Sequence, residues 1–227
     1  MTYRTMLESN ARWASERAAE DADYFPRLAR QHRPHCLFVG CSDARVPAEV
    51  ITQVEPGELF VHRNIANQAH ATDTNLNASL QYAVEALEVT DVIVCGHEGC
   101  GGVRAAMQEK APPLVDTWVA GVRTIMRLHA DELAQIEDPE RRLTRLVELN
   151  VMEQVFNISR TPVVQSAWAV GRTLRVHGWV YGLGNGRLRD LHVTMDGAPL
   201  VAALRKVAAA PGAERAAREP ARERRAG

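Results

Sequence analysis

The sequence lacks three features that would assign the chain to a membrane, secreted or nucleic-acid-binding class. No apolar run is long enough to span a bilayer, and residues 1–10 lack the apolar segment of a signal peptide. The chain has 4 cysteines in 227 residues, which is too few for a disulfide framework. A formal net charge of -1 gives no electrostatic reason to expect nucleic acid or a membrane surface as a partner. We therefore expect a cytoplasmic protein whose thiols stay reduced.

What is present is the composition of a globular protein. Apolar residues make up 46% of the chain, and 227 residues are enough for one large domain with its own core. We expect a single domain over residues 1–206, which begins with an amphipathic helical arm at residues 1–30. Residues 207–227 consist mainly of Ala, Arg, Glu, Pro and Gly, so we expect them to form a disordered tail.

Three short apolar segments predict strands. They are His35–Gly40, Leu59–Ala66 and the run that includes Val92 to Val94, and glycine ends the first and third. Between the second and third, Thr72 or Asp73 has the character of an N-cap for an amphipathic helix. Alternation of strand and helix is typical of right-handed βαβ units, so the fold class is α/β with a central, mostly parallel sheet flanked by helices.

The second half of the chain predicts helices followed by a hairpin. Two long helical patterns cover residues 115–136 and 140–156, and a further helix runs from Pro162 to Gly171. Two strand-like segments, 174–181 and 187–193, flank Gly184–Gly186. The Asn-Gly pair in this segment favours a tight hairpin turn, so we expect a C-terminal β-hairpin.

One turn carries residues suited to binding a metal ion. His97 and Cys100 follow the third strand with two residues between them, and glycines at 99, 101 and 102 let the backbone bend closely around them. Imidazole and thiolate are ligands that zinc prefers. Cys41 ends another predicted strand, and parallel strands place their carboxyl ends at one edge of a sheet. A site built from Cys41, His97 and Cys100 would keep a fourth position free, which is typical of catalytic zinc.

Alternatives exist for the other candidate ligands. Cys36 and Cys95 lie within strands, where a free cysteine acts as a small buried hydrophobe, although Cys95 in the fourth position would give a closed structural site. Asp43 and Arg45 would be a weak surface ion pair in isolation. Beside zinc, a carboxylate held by arginine could accept the proton of a zinc-bound hydroxide and direct its attack. The same carboxylate could also become the fourth ligand and displace the water.

Five motifs together resemble the β-class carbonic anhydrases of bacterial type. They are Cys41–Arg45, Glu55–Asn67, Leu80–Val84, Val94–Gly102 and His177–Tyr181, in the order in which the family has them. The resemblance implies zinc, one ion per subunit, on Cys41, His97 and Cys100, with an Asp43–Arg45 dyad. It also implies a homodimer or homotetramer and the reversible hydration of CO2 to bicarbonate and a proton.

Some positions have a less defined role. Some family members have a non-catalytic bicarbonate pocket built from tryptophan, arginine and tyrosine; Arg63 and Tyr181 match two of these, but Phe38 stands in place of the tryptophan. Phenylalanine has no N–H to donate. Glu98 between the ligands departs from the small or neutral residue that is common there. For the substrate pocket the candidates are Gln53, Tyr82 and Gly102, and the first two could equally form a subunit contact.

The function predicted from these residues is attack of zinc-bound hydroxide on CO2. One alternative is hydrolysis of CS2 or COS, which are linear and isoelectronic with CO2. Another is a zinc-stabilised binding protein without turnover, which would need the fourth position blocked. An oriented Asp43–Arg45 pair has no use in a purely structural site, so we favour the enzyme.

Overall fold

The computed structural model describes residues 2–109 and 111–197. Its centre is a five-stranded sheet with the strand order β2-β1-β3-β4-β5. The first four strands in that order are mutually parallel, and β5 is antiparallel to β4. The strands are β1 (Cys36–Cys41), β2 (Leu59–Asn64), β3 (Asp91–His97), β4 (Arg175–Gly182) and β5 (Arg187–Met195).

The helices of the described residues pack mainly on one side of this sheet. They are α1 (Tyr3–Glu20), α2 (Tyr24–Arg30), α3 (Ala48–Thr52), α4 (Thr74–Gln81), α5 (Gly101–Met107), α6 (Pro113–Trp118), α7 (Ala120–Leu128), α8 (Ala130–Ala134), α9 (Pro139–Ser159) and α10 (Pro162–Ala169). A π-helical turn, Tyr82–Ala86, follows α4 directly. None of the helices in the described part of the chain is long and apolar enough to cross a bilayer.

The N-terminal arm consists of α1 and α2, and no residue of either helix is buried against the described part of the chain. Thr2 caps α1 by accepting the N–H of Thr5, which in turn bonds back to the backbone of Thr2. The large apolar side chains of α1 are exposed; they are Tyr3, Met6, Leu7 and Trp13. The predicted helical arm is therefore present, and the described residues leave the large apolar side chains of α1 exposed.

The sheet has two different faces because successive side chains of a strand point to opposite sides. The long helix α9 covers one face, where Val147, Val151 and Val155 join the main core. It lies so close that a Cβ atom on Gly96 would be 2.6 Å from Val151 Cγ2. The opposite face carries a smaller cluster of side chains, namely Cys36, Phe38, Ala48, Ile93 and Cys95.

The parallel register brings the carboxyl ends of β1, β2 and β3 to one edge. Gly40 pairs with Arg63 on one side and with Cys95 on the other. The next residue, Cys41, and the end of β3 at His97 therefore lie side by side, although they are far apart in the sequence. The edge of the sheet at which ligands gather in open α/β folds is thus the edge that carries the candidate ligands.

The predicted fold class is confirmed, with two local corrections. The helical pattern at residues 115–136 is not one helix, because the chain leaves helical geometry at Val119 and His129. The hairpin loop between β4 and β5 has four residues instead of the two of a tight Asn-Gly turn. Within the Asn185-Gly186 pair, the glycine adopts the left-handed conformation, with φ +68°, and the asparagine does not. Of the two residues predicted to cap α4, Thr72 and Asp73, the N-cap is Asp73. The predicted domain end at 206 and the tail at 207–227 lie outside the described residues.

Candidate metal centre

Three side chains converge at this edge of the sheet. Cys41 is the last residue of β1, His97 is the last residue of β3, and Cys100 precedes α5. The two sulfurs and one imidazole nitrogen all lie within 4.8 Å of one another, and all three residues are buried. The sulfurs are 3.9 Å apart. A tetrahedral zinc ion with Zn–S distances of about 2.3 Å separates two sulfurs by about 3.8 Å, so the spacing suits such an ion.

A tight turn brings Cys100 back toward His97. Gly99 has φ +64°, a conformation in which a side chain is strained, and this reverses the chain after the strand. Glu98 N–H donates to the carbonyl of Tyr181 on β4, which ties the turn to the neighbouring strand. The position of Cys100 therefore follows from the backbone of the turn and from the sheet.

The hydrogen bonds of His97 leave one ring nitrogen available to a metal ion. Nδ1 lies 2.9 Å from the carbonyl oxygen of Glu98 and donates its proton there. Nε2 then carries the lone pair, and it is fully buried without a hydrogen-bond partner in the described part of the chain. A buried unpaired nitrogen is costly, and a metal ion between the sulfurs would satisfy it. The residues therefore fit zinc.

Backbone N–H groups surround both sulfurs. The N–H groups of Asp43 and Ala66 face the sulfur of Cys41 and lower its pKa, and those of Gly102 and Val103 face the sulfur of Cys100 and act in the same direction there. The hydrogen bond from the Cys100 thiol, followed by the neighbouring His97 side chain and these N–H groups, holds the pKa of Cys41 well below its usual range even though burial opposes this. The same contact and burial raise the pKa of Cys100. A thiolate is the form of cysteine that binds metal, so the surroundings favour ligation at Cys41.

Asp43 and Arg45 form a two-fold ion pair at the edge of the cluster. Arg45 Nε donates to Asp43 Oδ1 over 2.9 Å, and Nη2 donates to Oδ2 over 2.7 Å. The Arg45 guanidinium keeps the pKa of Asp43 below its usual range, so the carboxylate is ionised. Oδ2 lies 3.7 Å from Nε2 of His97. The carboxylate is therefore fixed in direction beside His97, one of the three candidate ligands.

Cys36 and Cys95 lie apart from this cluster. Both are buried on the opposite face of the sheet, as expected for small hydrophobes. Burial raises the pKa of each thiol to about 12. Within the described residues the group of potential metal ligands here contains Cys41, His97 and Cys100 and does not include Cys95. The arrangement thus gives no support to a closed site with three sulfurs.

The three residues considered for a bicarbonate pocket are engaged in different ways. Arg63 donates from Nε to the carbonyl of Cys41 over 2.8 Å and from Nη2 to the carbonyl of Asp43 over 2.5 Å. Its guanidinium thus braces the loop between the ligand and the carboxylate. Tyr181 pairs with His97 in the sheet register, and Phe38 is buried among the residues of the smaller cluster.

Of the remaining predicted pocket residues, Gln53 and Tyr82 lie at the surface and Gly102 is buried. Gln53 is exposed and donates its side-chain amide to the carbonyl of Val50. Tyr82 is 51% exposed, and its ring lies 5.7 Å from that of Phe60. No hydrogen bond between either residue and the three metal-binding side chains occurs in the described structure. A Cβ atom on Gly102 would lie 2.6 Å from Ile65 Cγ2, so glycine there permits close packing.

A group of buried amides near the site was not found from the sequence. Gln68, Asn150 and Gln154 are each at most 2% exposed and are hydrogen-bonded to one another. The available signal was the presence of Asn150 and Gln154, one helical turn apart, on the apolar face of α9. Polar residues on an apolar face are buried only where hydrogen bonds satisfy them.

Comparison with known proteins gives one consistent family. The family model for carbonic anhydrase matches residues 36–188. A carbonic anhydrase from Emericella nidulans is 41% identical over 196 residues, which is 86% of this chain and 86% of that protein. A carbonic anhydrase from the bacterium Pseudomonas aeruginosa is 35% identical over 200 residues, covering 83% of this chain and 87% of that protein.

Solved structures give the same result at the level of the fold. A tetrameric β-carbonic anhydrase from Sordaria macrospora superposes with a TM-score of 0.82 at 37% identity, covering 85% of this chain and 98% of that one. A β-carbonic anhydrase from Aspergillus fumigatus gives a TM-score of 0.81 at 36% identity, over 91% and 96% of the two chains. The family model, the sequence identity and the shared architecture agree. The chain therefore belongs to the β-class carbonic anhydrases, the enzymes that reversibly hydrate CO2 to bicarbonate.

Proposed function

We propose that the chain performs this hydration with one zinc ion per subunit, held by Cys41, His97 and Cys100. The observation that carries the proposal is the buried group of three donor atoms, in which Nε2 of His97 faces the sulfurs without a partner in the described residues. Three protein ligands leave one position for solvent, which is the ligand count of catalytic zinc. The relatives reported above are named carbonic anhydrases, which favours CO2 over CS2 or COS and favours an enzyme over a binding protein.

Bound zinc lowers the pKa of water from 15.7 to about 7, which supplies a nucleophile at neutral pH. The protein groups orient that nucleophile. Asp43 is ionised and can only accept hydrogen bonds, so a water molecule at the edge of the cluster donates to Oδ2 and turns its lone pair toward the substrate. Arg45 holds both carboxylate oxygens and prevents the side chain from rotating away.

Arg63 has a supporting role in this proposal. Its two bonds to the carbonyls of Cys41 and Asp43 fix the loop that presents both side chains. This use of the guanidinium competes with a bicarbonate pocket, which would also require an N–H donor that Phe38 lacks. We therefore assign Arg63 to the loop. The role of Tyr181 in a bicarbonate pocket stays a prediction.

The substrate pocket and the subunit contacts are proposed together. CO2 is small and apolar, so its path to the ion needs apolar walls, and Tyr82, whose exposed ring lies 5.7 Å from that of Phe60, stays a candidate for the pocket or for a subunit contact. Gln53 and Gly102 stay candidates for the substrate pocket. The exposed apolar side chains of α1 would become buried if α1 packed against a second copy of the chain. The Sordaria macrospora relative is tetrameric. We propose a homodimer or homotetramer in the cytoplasm, where Cys41 and Cys100 stay reduced.

The test is a count of zinc per subunit combined with stopped-flow CO2 hydration on the same preparation. We expect one zinc ion per subunit and activity that is lost on chelation and regained on addition of zinc. Bound zinc without hydration would instead support the binding protein, and faster turnover of CS2 or COS than of CO2 would support the hydrolase. Light scattering of the intact protein measures the assembly, and a monomer at micromolar concentration would refute the proposed oligomer.

A further inference from the structure

The chain that follows β2 makes a buried turn in a conformation that L-amino acids rarely adopt. Ala66 has φ 60° and ψ 29°, and the next residue, Asn67, has φ 47°. Neither is glycine, and both are almost completely buried, with 0% and 1% exposure. In this left-handed region Cβ approaches the following carbonyl oxygen, so the conformation persists only where its surroundings hold it.

This turn contacts all three segments that carry the metal-binding side chains. The N–H of Ala66 faces the sulfur of Cys41, and the two segments are joined where Ser42 N–H donates to the carbonyl of Asn64 over 2.9 Å. A Cβ atom on Gly102, two residues after Cys100, would lie 3.0 Å from the Cβ of Ala66. A Cβ atom on Gly96, the neighbour of His97, would lie 3.7 Å from Oδ1 of Asn67. The placement of the turn therefore bears on every donor of the site.

Two side-chain amides hold the carbonyl of Ala66. Gln68 Nε2 donates to it over 2.8 Å, and Asn150 Nδ2 donates to it over 3.1 Å. Oδ1 of Asn150 in turn accepts from Gln68 over 2.7 Å and from Gln154 over 3.0 Å. Gln154 Oε1 accepts the N–H of Ala69 over 2.9 Å. Gln68, Asn150 and Gln154, the buried amide cluster, thus connect α9 to the turn, with Asn150 at its centre.

We propose that Asn150 is a positioning residue for the reaction, acting through Ala66 on Cys41. This inference rests on the proposed zinc site. Asn150 keeps Ala66 in its left-handed conformation, and that conformation directs the Ala66 N–H at the sulfur. An N–H bond to a thiolate fixes the direction of its lone pairs and withdraws electron density from it, and both effects set how the sulfur binds zinc.

The central test is Asn150→Ala with Val155→Ala as a matched control. Val155 is buried on the same helix but packs against Gly178 of β4, away from the turn. Both variants lose buried contacts, so both should be less stable. We expect only Asn150→Ala to weaken zinc affinity, by about 10- to 100-fold in competition with a chromophoric chelator. At saturating zinc its kcat should fall while KM stays within about two-fold of the wild-type value.

A spectroscopic readout separates the sulfur from general loss of stability. In the cobalt(II)-substituted protein the sulfur-to-cobalt charge-transfer band reports on the thiolate ligands. We expect this band to shift in Asn150→Ala and to stay at the wild-type wavelength in Val155→Ala. If Asn150→Ala does not fold, Asn150→Ser replaces it. The band position and zinc affinity of Asn150→Ser are then compared with those of Val155→Ala.

A second substitution tests whether Asn150 acts through the turn. Glycine adopts the left-handed conformation without a Cβ penalty, so Ala66→Gly removes the need for an external hold. We expect the double variant Asn150→Ala/Ala66→Gly to recover part of the zinc affinity lost in Asn150→Ala, a non-additive effect. Equal zinc affinity, band position and kcat in Asn150→Ala and Val155→Ala would overturn the proposal, as would strict additivity in the double variant. If the proposed zinc site is wrong, the wild-type protein itself will contain no zinc, and this result is distinct from a difference between Asn150→Ala and Val155→Ala.

Discussion

The four cysteines of this chain form two pairs with opposite chemistry, although each strand region contributes one member to each pair. Cys36 and Cys41 lie at the two ends of β1, and Cys95 and Cys100 lie within and just after β3. Cys36 and Cys95 are buried on the sheet face that carries the smaller cluster, where burial raises their pKa to about 12. Cys41 and Cys100 lie at the carboxyl edge, 3.9 Å apart, with backbone N–H groups directed at both sulfurs.

Burial alone does not decide what a cysteine does in this protein. All four thiols are buried. The two at the sheet edge also receive backbone N–H groups and have a buried imidazole beside them, which stabilises a thiolate and offers a shared ligand position. Each of the two within the strands has a single backbone N–H group beside it, from Ile93 for Cys36 and from Tyr181 for Cys95, and burial outweighs that group.

The largest expected effect is the loss of zinc and activity in Cys41→Ser. Serine is a poor zinc ligand at neutral pH, so the site loses one of its three protein donors. We expect zinc content to fall far below one ion per subunit and CO2 hydration to fall to the rate of the buffer, measured by metal analysis and stopped flow. Cys36→Ser on the same strand is the control and should keep both. Full hydration by zinc-free Cys41→Ser would contradict the assignment.

Next in size is the effect of Asp43→Asn, which separates metal binding from orientation of the nucleophile. The amide keeps the shape but loses the charge, and one of its two groups is a donor. We expect zinc to stay bound while kcat falls by about 10²- to 10⁴-fold, the usual contribution of a positioned acid or base. Glu49→Gln, an exposed carboxylate on α3, should leave kcat unchanged. Wild-type turnover in Asp43→Asn would show that the carboxylate is not needed.

Cys95→Ala tests the pair of cysteines that lies within the strands. The thiol is fully buried in the smaller cluster and is not part of the ligand group, so its removal should leave a small void and no change at the metal. We expect a loss of about 1 kcal/mol in the free energy of unfolding by urea. Zinc content and kcat should equal those of the wild type. Loss of zinc in this variant would indicate that Cys95 is a fourth zinc ligand.

The smallest expected effect concerns Asp91, at the opposite end of β3 from His97. Burial acts to raise its pKa, but hydrogen bonds from Thr90, His177 and Arg175 outweigh this and lower it. A lowered carboxyl pKa stabilises the fold above the unfolded value of about 3.9, and this contribution is lost as pH falls through the folded pKa.

We therefore expect Asp91→Asn to cost less than about 1 kcal/mol at pH 7, because the ion pair is partly exposed. The difference from the wild type should shrink as the pH is lowered toward 3 in urea unfolding measured across that range. Its kcat should not change. A difference between the two proteins that is constant with pH would refute the role of the charge.

The sequence was sufficient for the fold class and for the convergence of the three ligands. Both follow from local signals, namely apolar runs ended by glycine and the polarity of parallel strands, which places Cys41 and His97 at one edge. Asp43 and Arg45 are two residues apart, so their pairing also follows from local geometry. The family resemblance added the reaction, and the comparisons confirmed it.

Other features depend on contacts between distant segments and could not be predicted. The helical pattern at 115–136 breaks into three helices although its periodicity is continuous. Trp118 donates its indole N–H to the carbonyl of Ile65, a contact that no local pattern shows. The bonds of Asn150 and Gln68 to Ala66, and those of Arg63 to the loop after β1, join positions that are remote in the sequence. Left-handed backbone at Ala66 contradicts its local preference, since alanine favours right-handed geometry.

The wide spacing of the sulfur donors has a consequence for maturation in the cell. Cys41 and Cys100 are 59 residues apart and meet only when β1 has paired with β3. A nascent chain that has exposed the first sulfur therefore offers the ion a single weak anchor, unlike a zinc finger, whose close-set ligands capture metal and drive folding. With the proposed zinc site, we therefore expect the ion to bind after the sheet has formed, to apoprotein that already has its native backbone.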